Sequence, residues 1–311
     1  MTASTGAGVA PSGVVVVGDL LADIIEHEDG SRTRHPGGAG LNLAVGVRRL
    51  GTPAALVSPV SADRLGEWLR SAVTAEDVTL VPLACALPTG TATSRRVAGE
   101  PVYEFSEAIH NRRYAYPEAD VAAMGSGAVM VVNSYPMDDP GQVQALVDVV
   151  RRTGRTFVVD PNVRPTLVRD IAAYRSGLRR LAAVADVVKL SLQDIADLHV
   201  EDPEQFVAEL LRSGVRVVVL TRAADGMSVH AADGVVATAP VPDRPGPVVD
   251  TMGAGDATLA RLVCGFAEDG VDLDATRWRD LAREAMDLAA DICRISGGNL
   301  AALRPTERKE R

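Results

Sequence analysis

Short apolar runs recur along almost the whole chain, separated by segments in which apolar side chains return every three or four positions. Residues 14–17, 54–58, 129–132, 156–160, 186–189 and 216–221 are near-continuous in apolar character. A strand covered on both faces reads this way, because neither side of its pleat meets water. Between the runs, Leu259, Leu262, Val263 and Phe266 step i, i+3, i+4, i+7, and Leu281, Ala285, Leu288, Ala289 and Ile292 share one helical stripe. Strand and helix therefore alternate, which predicts an α/β domain with a mostly parallel sheet. Two stretches depart from the pattern. Residues 22–35 read as a hairpin turning at Asp29-Gly30, and residues 89–106 as a second, turning at Ala98-Gly99-Glu100. Each alternates polar and apolar side chains, as a sheet with one wet face does. They are expected to form a small β lid over a cleft; the alternative is two surface hairpins with no gating role.

Composition narrows the class. Of 311 residues, 47 % are hydrophobic and 23 % charged, which sets aside disordered, collagen-like and disulfide-scaffold chains. The formal charge is 32 − 41 = −9. That suits neither a nucleic-acid groove nor an anionic membrane surface, and neither is expected as a partner. Cys85, Cys264 and Cys293 lie far apart, and His27, His35, His110, His199 and His230 have no ligand spacing. Only Lys189 and Lys309 are lysines, and neither sits in the Gly-Lys-Ser/Thr of a Walker A loop. No apolar run reaches the ~18 residues of a membrane span. Residues 1–12 read as a flexible, small and polar tail without the regions of a signal peptide, and 306–311 as a charged tail. A cytoplasmic location is expected.

Chemistry concentrates in Asp250-Thr251-Met252-Gly253-Ala254-Gly255-Asp256, which runs straight into a helical pattern. Small residues before a helix leave its first N–H groups unobstructed, and the helix dipole adds positive potential there. Gly253, Ala254 and Gly255 thus form an anion site suited to a transferring phosphoryl group. Asp256 would repel a phosphate that was merely bound. It fits as a base that takes the proton of an attacking hydroxyl. The same letters also suit an ordinary helix start with aspartate as N-cap. A second element, Pro36-Gly37-Gly38-Ala39-Gly40-Leu41-Asn42, precedes an apolar helix that stops at Gly51. Its glycines admit a ligand to the backbone, and Asn42 offers a donor and an acceptor, as a polyhydroxylated ligand needs. A tight strand-to-helix turn is the simpler reading. The first strand is followed by Gly18-Asp19-Leu20-Leu21-Ala22-Asp23, which lacks the Gly-x-Gly-x-x-Gly of a dinucleotide-binding dehydrogenase.

Residues 37–51 and the run from Asp250 to Asp256 together resemble the two signatures of the ribokinase-like, or PfkB, carbohydrate kinases, the second as DTxGAGD. The resemblance continues through Asp160-Pro161-Asn162-Val163-Arg164-Pro165, Lys189-Leu190-Ser191-Leu192-Gln193-Asp194 and Thr221-Arg222-Ala223-Ala224-Asp225-Gly226, with letters nearest fructokinase-type members. It implies a doubly wound α/β domain over residues 13–305 with a lid from about 22–35 and 89–106. It implies Asp256 as catalytic base, with the amides of Gly253, Ala254 and Gly255 as anion hole. Asp23, Gly38, Asn42 and Arg164 would contact the acceptor, although a buried ion pair suits Arg164 equally. Ser191, Thr221, Gly226 and, in the loop flanking the adenine, Asn299 would contact ATP. Asp194 would face Mg²⁺ through water, and Asp250 would belong to a monovalent-cation site for K⁺. Ser191 and Asp194 replace the family's usual Asn and Glu, and Ala223 stands where glycine is usual. The lid aromatics Tyr103 and Phe105 are expected to pack against the core domain, the alternative being that one closes over the sugar. The family's habit of pairing lids suggests a homodimer, with a monomer as the alternative. The implied activity is ATP-dependent phosphorylation of a primary hydroxyl on a small sugar, fructose-like or a keto-deoxy sugar acid. A nucleoside kinase and a catalytically silent sugar-binding regulatory protein are the alternatives.

Overall fold

The computed structural model describes residues 13–27, 29–97, 100–124, 127–295 and 300. Both tails, the turn residues Ala98 and Gly99, and the 296–299 loop with Asn299 lie outside them. From β1 (Val14–Gly18) the chain builds β2 (Leu21–Glu26) and β3 (Arg32–Gly37), then α1 (Ala39–Arg49), β4 (Ala54–Val60), α2 (Arg64–Ala75) and β5 (Thr79–Ala84). A second excursion, β6 (Thr91–Val97) and β7 (Glu100–Phe105), leads to two short helices, α3 (Glu107–His110) and α4 (Glu118–Ala123). Alternation follows: β8 (Val129–Asn133), α5 (Pro140–Thr153), β9 (Thr156–Asp160), α6 (Ile171–Ala182), β10 (Val187–Ser191), α7 (Leu192–Asp197), α8 (Pro203–Arg212) and β11 (Val217–Thr221). An antiparallel pair, β12 (Met227–Ala231) and β13 (Gly234–Ala239), precedes the closing helices α9 (Ala254–Asp269) and α10 (Ala275–Ile292).

Nine strands form one sheet in the order β13-β12-β11-β10-β9-β8-β1-β4-β5, parallel except at β12 and β13. Val14 and Val16 enter a core with Leu259 and Val263 of α9 and Leu281 of α10. Val15 and Val17 enter the opposite one, with Leu146 of α5, Leu178 of α6 and Leu210 of α8. Both faces are buried, so the strand sequence shows a continuous run instead of alternation. The strands that pattern reading overlooked have other surroundings. β5 and β13 are edge strands with alternating exposure, and β12 turns Ser228 and His230 inward. Among the described residues, no helix is long and apolar enough to cross a membrane.

The sheet order reverses between β1 and β8. From β1 the chain moves outward to β4 and β5; from β8 it moves the other way. At such a switch point, a crevice opens beyond the carboxyl ends of the strands. Asn133, Asp160, Ser191 and Thr221 are each the last residue of their strand on that edge.

The two hairpins are joined into one four-stranded sheet, β3-β2-β6-β7, by parallel pairing of β2 with β6 from Ala22↔Thr91 to Glu26↔Arg95. Leu21, Ala92 and Ile109 bury a small apolar cluster beneath it, with Phe105 and Leu167 against them. Two contacts tie the sheet to α2. The Arg34 guanidinium stands 5.5 Å from the Trp68 ring centroid. Asp63, the N-cap of α2, accepts from Gly66 N at 2.7 Å and also from the Thr89 amide and hydroxyl at 2.8 and 2.6 Å. Thr89 lies just before β6.

Candidate active site

Helix capping separates two helices from the rest. Among the described helices of ten residues or more, α2, α5, α6, α8 and α10 start on an aspartate whose carboxylate accepts from first-turn amides. The other two, α1 and α9, start on Gly38 and Gly253 and have no side-chain cap. The first amides of a helix lack intrahelical acceptors, so an uncapped start offers them to something else. Gly38 is at φ 106, and a Cβ there would lie 2.4 Å from the Asp19 carbonyl oxygen. Gly253 is at φ 77. Only glycine takes these conformations without strain. Of the amides expected in the anion hole, that of Ala254 donates to Thr251 O at 3.3 Å. Gly253 and Ala254 are partly exposed and Gly255 is exposed.

Asp256 stands in the first turn of α9, partly exposed. Burial of the carboxyl pushes its pKa up, against the Lys189 ammonium, a hydrogen bond from Asn133, the Arg164 guanidinium and a hydrogen bond from Asn42. Asn133 Nδ2 donates to Asp256 Oδ1 at 3.3 Å. The structure therefore gathers Asn42 of α1, Arg164 and Asp256, expected from the sequence, and adds Asn133 and Lys189, which were not. Lys189 is buried and donates to buried Asp160 at 2.9 Å. A Cβ on Gly255 would lie 3.4 Å from its Nζ, so this cation sits directly beneath the start of α9. Burial works against the Lys189 charge, but Asp160, Asp194 and Asp256 outweigh it and raise its pKa. Burial also pushes Asp160 up to about 6, against the Lys189 ammonium that holds it down.

The residues expected to meet the acceptor lie on the small sheet and in the loop after β9. Asp23 on β2 packs over Gly37 and faces His35 in the β2–β3 register. Burial raises its pKa to about 6, with His35 opposing. Tyr103 on β7 shares that face. Burial raises the pKa of its phenol, as do the Asp23 and Asp250 carboxylates, while Arg164 lowers it. These four groups are thus within electrostatic reach of one another. The expectation for the lid aromatics divides: Phe105 packs, whereas Tyr103 stays 40 % exposed over the cleft. Arg164 is exposed, donates to Val163 O at 3.0 Å and forms no salt bridge among the described residues. The buried ion pair considered for it is not what the chain builds.

On the other side of the cleft, Ser191 and Thr221 end adjacent strands and pair in register. Ser191 and Asp194 form a capping box at the start of α7: Ser191 Oγ accepts from Asp194 N, and Asp194 Oδ2 accepts from Ser191 N at 2.8 Å and Ser191 Oγ at 2.5 Å. Asp194 Oδ1 accepts from Val163 N at 2.8 Å, and the residue is only 5 % exposed. These bonds fix the carboxylate against the chain, so an ion near it would be reached through water, as the resemblance implies. No group of three or more His, Cys, Asp or Glu able to hold a metal occurs among the described residues. Asp250 accepts from Met252 N at 2.9 Å, and its own amide donates to Cys293 O at 3.2 Å. The loop expected to complete a cation site there is 296–299, outside the described residues. Gly226, at φ 82, turns the chain into β12.

Ala223, where the family usually has glycine, adopts φ 48. An L-residue held left-handed costs ~1–2 kcal/mol, part of which returns through the stiffer unfolded chain. Ala223→Gly is therefore expected to gain about 0.5–1 kcal/mol in urea melts; an unchanged or lower midpoint would contradict the strain.

The pfkB family carbohydrate kinase profile matches residues 12–300. A fructokinase of Klebsiella pneumoniae is 31 % identical over 289 residues, covering 89 % of this chain and 90 % of the relative. A fructokinase of Xylella fastidiosa, solved with bound ATP, has the same fold: TM-score 0.77 at 20 % identity, covering 94 % of this chain and 95 % of that one. So does aminoimidazole riboside kinase from Salmonella enterica, solved with aminoimidazole riboside and an ATP analogue, at TM-score 0.75, 22 % identity and coverage of 94 % and 96 %. The profile runs from the first strand past the glycine-started helix that carries Asp256, and by that match the chain belongs to the pfkB family of carbohydrate kinases, phosphotransferases that act on an alcohol group.

Proposed function

We propose that this kinase moves the γ-phosphate of ATP to a primary hydroxyl of a small sugar, fructose-like or a keto-deoxy sugar acid. One observation carries the reading: the Asp256 carboxylate stands beside the open start of α9, between Asn42 and Arg164. Asp256 takes the proton of the acceptor hydroxyl as its oxygen attacks. The amides of Gly253, Ala254 and Gly255 stabilise charge on the phosphoryl oxygens, and Lys189 beneath them adds a fixed positive charge. Arg164 presents a guanidinium that suits a phosphoryl oxygen or an acidic group on the acceptor. Ser191 and Thr221 line the nucleotide side with Gly226, and Asn299 belongs to the same proposal. Magnesium held by the nucleotide would supply charge neutralisation in such reactions, with Asp194 facing it through water. Asp250 is kept as one donor of a K⁺ site. The sheet β3-β2-β6-β7 acts as the lid that excludes water, and its open β3 and β7 edges suit pairing of two chains.

A coupled assay of ADP release over a panel of sugars and nucleosides, with and without K⁺, tests this reading. Sugar-dependent turnover is expected. Turnover with nucleosides alone would make the enzyme a nucleoside kinase, and none with any acceptor would leave a silent binding protein. The pH dependence of acceptor binding is a further check. Asp23 gains a proton as pH falls through about 6 and then no longer accepts from two hydroxyls. The acceptor KM is expected to rise below that pH, and in Asp23→Asn to be raised throughout and flat with pH. A wild-type KM constant between pH 5 and 8 would remove Asp23 from the acceptor site.

A further inference from the structure

Asn133 ends a strand whose other residues are all apolar, and it is fully buried. A primary amide in that place is costly unless its donors and acceptor are used. Asn133 Oδ1 accepts from Asn162 Nδ2 at 2.9 Å, and Asn133 Nδ2 donates to Asp256 Oδ1 at 3.3 Å. Asn162 follows β9 with φ 41, a left-handed conformation that asparagine tolerates better than most side chains. Its backbone amide donates to Asp160 Oδ1 at 3.1 Å, and Asp160 Oδ2 takes the Lys189 ammonium at 2.9 Å. The turn that carries Asn162 is therefore pinned to a buried ion pair. With Asn162 donating, the Asn133 amide has one orientation left, NH₂ toward Asp256.

We propose that Asn162 and Asn133 form a one-directional amide relay that positions Asp256, holding one carboxylate oxygen and favouring the ionised form needed to accept a proton. Asn133 and Asn162 are positioning residues, since they act through Asp256. The proposal rests on Asp256 being the base. The charged groups facing Asp256 are Lys189 on β10, Arg164 after β9 and Asp160 at the end of β9; the uncharged donors are Asn133 on β8 and Asn42 on α1. Lys189, Arg164 and Asn42 stay in place when the relay is cut, so cutting it weakens the base without removing it.

The test is the pH profile of kcat for Asn133→Leu, Asn162→Gly and the double variant, with Asp256→Asn as control. Glycine at position 162 keeps the left-handed turn and removes only the amide side chain. A hydrogen bond to a charged group exceeds a neutral one, so Asn133→Leu is expected to move the acid limb up by roughly one pH unit. It should lose up to roughly tenfold in kcat on the acid side of the limb, with recovery as pH rises above it and little change in acceptor KM. Asn162→Gly should shift the limb the same way by less, and should add nothing when combined with Asn133→Leu, because the relay is already broken there. An unmoved acid limb in both single variants, or fully additive shifts in the double, overturns the relay while a dead Asp256→Asn keeps the base assignment. An active Asp256→Asn overturns the base assignment itself. If Asn133→Leu does not fold, Asn162→Gly alone decides through its acid limb.

Discussion

Asp256→Asn is expected to lower kcat by ~10²–10⁴, the usual contribution of a positioned general base, while acceptor binding and fold survive. The substitution keeps the shape of the side chain and removes its ability to take a proton. Burial already strains the charged form, whose pKa is raised despite Lys189, Asn133, Arg164 and Asn42. A neutral isostere should therefore melt at or slightly above the wild-type temperature. A residue that costs stability yet governs turnover is the mark of a functional group. Single-turnover phosphorylation with a thermal-shift titration of the acceptor reads both halves. Near-wild-type kcat would remove Asp256 from the chemistry; lost acceptor binding at unchanged kcat would make it a binding group.

Lys189→Met is expected to be the most destabilising of the substitutions considered, by ~3–5 kcal/mol, as when one partner of a buried ion pair is removed. The pair is 2.9 Å apart, and Lys189 and Asp160 are 4 % and 1 % exposed. Without Lys189, Asp160 must hold an uncompensated charge or take a proton. Its folded pKa, raised by burial to about 6 even with the lysine present, rises further. Because the folded state then binds the proton more tightly than the unfolded one, the deficit is full above that raised pKa and shrinks as pH falls toward the unfolded value. Urea melts at pH 5 and pH 8 should differ accordingly, and Asp160→Asn in the same chain should recover much of the loss. Equal midpoints for wild type and Lys189→Met at pH 8 would show that the pair contributes nothing.

Much of the architecture could be read from the sequence, because a parallel sheet buried on both faces writes itself as runs such as Val14 to Val17. The glycines before α1 and α9 stood out as well, but each also suited an ordinary helix start or turn, and only the structure shows that both helices lack a side-chain cap. What escaped was the set of polar residues that end strands. Asn133 reads as the end of an apolar run and Asp256 lies 123 residues further along. Only the sheet order, which brings β8 beside β1, puts them in contact. Lys189 was legible as a rarity but not as the cation under Gly255, because its partner Asp160 belongs to another strand. Asp194 carries local geometry that its motif does not show. Its motif position suggests metal, yet local geometry binds it to Ser191 and Val163 before any ligand arrives.

The parallel seam between β2 and β6 makes one plate from two chain excursions more than sixty residues apart. Asp23 and Tyr103 ride on that plate together, one on β2 and the other on β7. The chain joins this plate to the larger domain at four places, Leu20, Gly38, Thr89 and Ser106, and the Thr89 passage is latched to the cap of α2. Because they share one hydrogen-bonded sheet, a change in its placement would carry both side chains together. Substitutions where the plate joins the larger domain are therefore expected to alter acceptor preference as well as substitutions on its face, which a sugar panel on such variants would read.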